Sequence, residues 1–316
     1  MISKKLSSYF PFLAKYFSLY FEDGDKKFPQ SIVFEGLDPY AQCFFALELA
    51  RNLNCLEDSR EDCSCLNCRW IRENKHPAIN FVSQIHFKPQ EDDTKTVISA
   101  LQAKAIEKSL WETSDYHRFF IFFDAKNAPL NDNQLKSLER YSPELYDICP
   151  DKDWSINHIN SKTFNPLTPN ILLKSVEEPP ERTTFVFLTK NRSDLINTIV
   201  SRSQCFRVPS PVQKNDISNI SWVFEKYPNM TLEDAFSLSE SLRGYIAEND
   251  VDCDFILDSI LAYLISELKT ASDVNYIQKI RHDIENVSRA KRHLAASMQD
   301  KIVFDTLFLK FARGVK

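Results

Sequence analysis

Five short apolar runs alternate with helical patterns over the first two thirds of the chain, and every later signal is helical. Ser31 to Gly36, Ala78 to Val82, Arg118 to Asp124, Thr184 to Thr189 and Cys205 to Val208 read as strands. The fourth has an unbroken apolar interior, which suits a strand covered on both faces of a parallel sheet. Helical spacing appears after Pro11 (Phe12, Leu13, Tyr16, Phe17, Tyr20), from Ala41 to Leu53, from Val97 to Leu110 and from Asn170 to Val176. Pro179 and Pro180 end the last of these, because proline lacks an amide donor and disfavours helical geometry in the residue before it. Asp194 to Val200 is one more helical turn, and it delivers Ser201-Arg202-Ser203 just ahead of the fifth strand. Strands separated by helices predict an α/β domain over residues 1–208.

Beyond Pro211 the pattern predicts helices over Ile217–Tyr227, Thr231–Ala247, Asp254–Leu268, Val274–Met298 and Lys301–Arg313. Gly244 and the acidic stretch from Glu248 to Asp254 mark a boundary, giving a small helical domain over 209–250 and a terminal all-α domain over 251–316. The last two helices are amphipathic, with apolar faces that serve either as core or as a subunit interface. Residues 127–169 have apolar points (Leu135, Leu138, Tyr141, Leu145, Tyr146, Trp154) without a sustained period, and are expected to form an insertion packed on the surface, a possible partner contact.

At 316 residues the chain is long enough for two or three domains, and 26% charged against 43% hydrophobic residues is ordinary for a globular protein. Only four glycines argue against a glycine-rich phosphate cradle. No run reaches the eighteen apolar residues of a membrane span, and the N-terminal segment is broken by Pro11 and Lys15, so neither a membrane partner nor a signal peptide is expected. The net charge of −5 is asymmetric: nine Lys and Arg against four Asp and Glu lie between Lys279 and Lys316. That basic end faces either an acidic partner or phosphates, or is a solvated helical face.

Four of the eight cysteines, Cys55, Cys63, Cys65 and Cys68, fall within fourteen residues, while Cys43, Cys149, Cys205 and Cys253 are scattered. Four thiolates at this spacing can surround a tetrahedral Zn²⁺ and leave no position open for catalysis, so a structural zinc module over 55–68 is expected in preference to free thiols. A reducing cytoplasm suits this usage better than a disulfide framework. His76 and His86 stand alone and read as ordinary surface or loop residues. Arg202, by position alone, caps a helix or sits in a surface ion pair.

The segments NILLKSVEEPP, FVFLTKN and TIVSRSQCF, together with the four cysteines, resemble those of bacterial DNA polymerase III clamp-loader subunits of the AAA+ family, in the delta prime group. The resemblance covers most of residues 30–208; Ser203 stands where the family usually has cysteine, and Ser64 alone separates Cys63 from Cys65 where two residues are usual. It implies a P-loop-type parallel sheet with a zinc module, followed by a helical lid and a helical collar that holds a ring together. The family's phosphate-binding motif would fall on Gly36, Ala41, Gln42 and Cys43. Gln42 cannot supply the lysine ammonium, and Cys43 is a poor ligand for hard Mg²⁺. Asp124 is followed by Ala125 where an active ATPase of this class needs glutamate. The resemblance therefore implies a chain that binds no ATP, is not an enzyme by itself, and offers Arg202 to an ATP held by a neighbouring subunit. Its implied partners are the tau/gamma and delta subunits and, through the assembled loader, the sliding clamp and primed DNA. An independent AAA+ ATPase and a zinc-dependent DNA-binding module are the rival readings.

Overall fold

The computed structural model describes residues 2–22, 27–57, 62–90, 96–141, 146–148, 153–209, 218–249, 251–295 and 298–313. Two compact units divide at Pro209 and Ser210.

The first unit is a five-stranded, wholly parallel sheet. Its strands are β1 (Ser31–Glu35), β2 (Ile79–Val82), β3 (Arg118–Phe122), β6 (Thr183–Thr189) and β7 (Gln204–Arg207), in the order β2-β3-β6-β1-β7. Side chains on a strand alternate between faces, and here the alternation builds two cores. Ile32, Phe34, Ile121, Val186 and Leu188 face one side, against α2 (Pro11–Glu22) and α3 (Pro39–Asn54). Val33, Phe120, Phe122, Phe185 and Phe187 face the other, against α5 (Ala100–Leu110) and α7 (Thr168–Glu177). All seven residues of β6 are buried, as its apolar interior predicts. Helices α1 (Lys4–Tyr9), α4 (Leu66–Arg72) and α8 (Asn197–Val200) complete the regular helices among the described residues of this unit, apart from one in the expected insertion.

That insertion is not a surface appendage. It contains α6 (Asp132–Tyr141) and β5 (Ser155–Asn157), which pairs antiparallel with β4 (Asp124–Lys126) in a separate ribbon. Tyr141, Tyr146, Ile148 and Ile156 are each no more than 1% exposed and belong to the core on the α3 side. Leu145 and Cys149 lie outside the described residues. The α6 signal was present as Leu135 and Leu138 behind an Asn131–Gln134 capping box, whose two reciprocal bonds are 2.9 and 3.0 Å.

In the second unit, α9 (Leu232–Asn249), α10 (Cys253–Thr270), α11 (Val274–Ala295) and α12 (Asp300–Arg313) pack around one core that includes Leu242, Ile260, Val287, Phe304 and Phe308. Of the expected Ile217–Tyr227 helix, Ile217 lies outside the described residues, Ser218 and Asn219 are helical, and Ser221–Phe224 is a 3-10 turn; Pro228 cannot continue a helix. The apolar faces of α11 and α12 are core of this unit. Part of the basic tail is also internal: the buried Lys291 ammonium pairs with Asp254 and Asp258, and Lys279 pairs with Asp283 at 3.1 Å. No helix among the described residues is long and apolar enough to cross a membrane.

Candidate functional site

β1 leads through Gly36 into α3, the strand-turn-helix frame of a phosphate loop. A Cβ on Gly36 would lie 2.1 Å from the carbonyl oxygen of Val208, so the close approach of the chain beyond β7 demands glycine. The loop is filled by its own side chains. Asp38 caps α3, its carboxylate accepting from the amides of Tyr40 at 3.0 Å and Ala41 at 3.1 Å. Those amides lie at the positive end of the helix, where a bound anion would be held. Pro39, at the first helical position, has no amide to offer. Burial pushes the Asp38 carboxyl up, against the Ala41 amide and the Arg140 guanidinium 3.9 Å away.

Gln42 is fully buried, and its Nε2 donates to the carbonyls of Gly36 and Thr189, both at 3.1 Å. It thereby joins the ends of β1 and β6. His158 Nε2 lies 3.4 Å from the same nitrogen; burial, then the charge of Lys190, bring His158 down to about 4, so it is neutral near pH 7. The hydroxyl of Tyr40 accepts from Ile156 of β5 at 3.2 Å, which fastens the β4–β5 ribbon to the loop. Cys43 is wholly buried, and burial raises its thiol far above the range in which a thiolate forms.

Asp124 leaves the main sheet and joins the ribbon. Its carboxylate accepts from the Gln84 amide, whose oxygen accepts from the backbone of Ala125 at 2.9 Å. The strand aspartate is thus engaged by a neutral side-chain amide of its own chain, and Ala125 beside it offers no carboxylate. Asp38 was legible as an N-cap aspartate ahead of a proline at the first helical position. His158 and Gln84 carry no local signal.

Arg202 lies at the opposite end of the sheet. β7 runs parallel to β1 with Gln204 beside Ile32 and Arg207 beside Glu35, so Arg202 sits before the start of these strands and Gly36 beyond their end. Val208, the residue against Gly36, lies six positions beyond Arg202, and at ~3.3 Å per residue the span is at most about 20 Å. The arginine cannot serve its own chain's loop. Ser203 fixes the turn, its Oγ hydrogen-bonding Ser31 Oγ at 2.7 Å and donating to the Ile199 carbonyl at 2.8 Å. Arg202 pairs through Nη2 with Glu177, and Nη1 donates to the Thr198 carbonyl and Ser201 Oγ, each at 3.2 Å. Its side chain is 36% exposed.

The sulfurs of Cys55, Cys63, Cys65 and Cys68 all lie within 4.8 Å of one another, with Cys55 at 3.5 Å from Cys63 and 4.0 Å from Cys65. Zn–S bonds of ~2.3 Å make the edge of a tetrahedron about 3.8 Å, so the four sulfurs fit one metal ion despite the short Cys63–Cys65 spacing. Donors point at the sulfurs: the Glu57 amide to Cys55 (3.4 Å), the Cys68 amide to Cys65 (3.5 Å) and the Arg51 guanidinium to Cys68 (3.8 Å). Burial opposes it, yet the amides of Cys68 and Leu56 hold the Cys65 thiol down to about 7. The cluster ties α4 to the end of α3, next to a buried Arg51–Glu48 pair at 2.8 Å. His76 and His86, expected in loops, are different from one another: His76 is 3% exposed and lowered to about 4 by burial, and its Nδ1 accepts from the Ala78 amide. His86 bonds Ser83 Oγ at 2.7 Å.

The delta prime subunit of DNA polymerase III from Bacillus subtilis is 27% identical over 173 residues, which cover 54% of this chain and 40% of that protein; the match thus spans less than half of the relative's length. A solved gamma subunit-related protein of Thermotoga maritima aligns over 94% of this chain and 98% of its own, at 12% identity and a TM-score of 0.35. A family model described as DNA polymerase III, delta subunit, matches residues 17–142 and 156–211, which take in the closed loop, the cysteine cluster and the Arg202 turn. Since that match covers more than half of the chain, the protein belongs to the DNA polymerase III delta subunit family.

Proposed function

We propose that this chain is a non-hydrolysing member of a clamp loader, assembling with tau/gamma and delta subunits and lending Arg202 to an ATP held by its neighbour. The observation that carries this reading is the separation of the two features. The loop is occupied by Asp38 and Gln42 of the same chain, whereas Arg202 stands up to about 20 Å away at the other end of the strands. Its ion pair with Glu177 does not bar such a role, because an exposed pair is worth roughly 0–1 kcal/mol. A guanidinium on a transferring phosphoryl group contributes a factor of about 10³ to 10⁵ in rate.

In this reading residues 1–208 are the AAA+ domain, and residues 209–250, a lid, share one core with residues 251–316, the collar that holds the ring. The four cysteines would bind one structural Zn²⁺, keeping α4 on α3 and taking no part in chemistry. The assembled loader would open the sliding clamp and place it on primed DNA. Mixing the chain with tau/gamma and delta subunits should give a stable complex. In that complex Arg202→Ala should leave assembly intact and lower DNA-stimulated ATP turnover; undiminished turnover removes Arg202 from the mechanism. Calorimetry on the lone chain should find no magnesium-dependent ATP uptake.

A further inference from the structure

We propose that Glu177 is a latch on Arg202: it competes with an incoming phosphate for the guanidinium and so sets how much ATP a neighbouring subunit must hold before the arginine crosses to it. This rests on the role proposed above for Arg202.

Both partners project from anchored ends. Glu177 is the last residue of α7, and the chain just after it is held by Gln30, whose Nε2 donates to the Pro179 carbonyl at 3.2 Å. Arg202 is anchored through the Ser203–Ser31 bond. The carboxylate takes Nη2, while Thr198 and Ser201 take Nη1. With Glu177 removed, the Nη2 edge of the guanidinium would be open to another anion.

The helix itself gives no reason for a carboxylate at that position. Carbonyls at a helix C-terminus carry partial negative charge, so an acidic side chain in the last turn is disfavoured, and Glu178 follows immediately. Among the described residues Glu177 has no partner besides Arg202. Its charge is therefore explained by the arginine alone. Phosphate and carboxylate bind the same planar fork of donors, and the phosphate brings more charge. A single exposed carboxylate can delay the transfer without preventing it.

The test is Glu177→Gln in the assembled complex on primed DNA. Glutamine keeps the size and an accepting oxygen but loses the charge. The ATP concentration for half-maximal turnover should fall by up to about fivefold, the equivalent of about 1 kcal/mol, with the maximal rate unchanged. In an Arg202→Ala background the same substitution should shift nothing. A half-saturating concentration that stays the same or rises overturns the latch, as does a fall that persists without Arg202. If Arg202→Ala alone leaves turnover undiminished, the role of the arginine has failed, and that result is read separately from the Glu177 comparison.

Discussion

Restoring the lysine of a working phosphate loop, by Gln42→Lys, should damage this protein rather than revive it. The glutamine amide is fully buried and gives two hydrogen bonds of 3.1 Å. A lysine could donate to the same two carbonyls, but its charge would lack a free counter-ion, since the Asp38 carboxylate is already held by two amides and faces Arg140. Burial of this kind depresses a lysine by about 3 pH units, which at ~1.36 kcal/mol per unit amounts to roughly 4 kcal/mol near neutral pH. Allowing for water penetration, we expect a loss of about 2–4 kcal/mol in urea unfolding at pH 7. Because the folded-state value would lie below the unfolded one, the penalty is largest at low pH and fades as pH rises toward the ordinary lysine range. Titration with Mg²⁺ and ATP should show no binding, the amides of Tyr40 and Ala41 being taken. A variant as stable as the parent that binds ATP at micromolar concentration would refute the closed loop.

Three further outcomes test neighbouring parts. Asp38→Asn keeps an N-cap acceptor and removes a charge whose burial raises its protonation, so it should match or slightly exceed the parent in stability at pH 7. That difference should shrink as pH falls and the aspartate protonates, as followed by thermal melts across pH; a loss of several degrees at pH 7 would show that the charge itself is needed. Gly36→Ala drives a methyl into the Val208 carbonyl and should cost about 1–3 kcal/mol or more in the same unfolding assay. The purified chain should carry one zinc per molecule by elemental analysis, and strong chelators should release it together with four titratable thiols and lower the melting temperature; a metal-free chain with unaltered melting argues for free thiols.

The five strands were legible because each is short, apolar and bounded by turns, and the Cys55–Cys68 spacing carried its own geometry. Residues 127–169 read as a surface insertion; the family model leaves only 143–155 unmatched, and Tyr146 and Ile148 within that stretch are core. A six-residue ribbon of β4 and β5 is too short to show a period, and α6 presents only Leu135, Leu138 and Tyr141 to the core amid polar neighbours. The closure of the loop was half visible. Gln42 and Cys43 announced that phosphate chemistry was lost, yet the Gln42–Thr189 bond spans 147 residues and the Gln42–His158 approach 116, and no local pattern records such partners. Arg202 read from position alone as a helix cap or an ion pair, and the ion pair is there, with Glu177.

What sequence could not supply was register, and register decides the reading of Arg202. Pairing Gln204 with Ile32 puts the arginine and the loop at opposite ends of the same two strands. A catalytic arginine for its own site would have to sit beyond Arg207, near Gly36. The buried groups around the loop point the same way. Amides at a helix N-terminus and carbonyls at strand ends need partners in every state of the protein. In a nucleotide-binding loop the ligand satisfies part of that need; here Asp38 and Gln42 do so permanently. A nucleotide would have to displace hydrogen bonds the chain already makes, at ~1–3 kcal/mol for each buried group left unpaired. The Gln42 bonds join the ends of β1 and β6 without a ligand, while at the other end of β1 the Ser31–Ser203 bond separately holds the turn that carries the arginine.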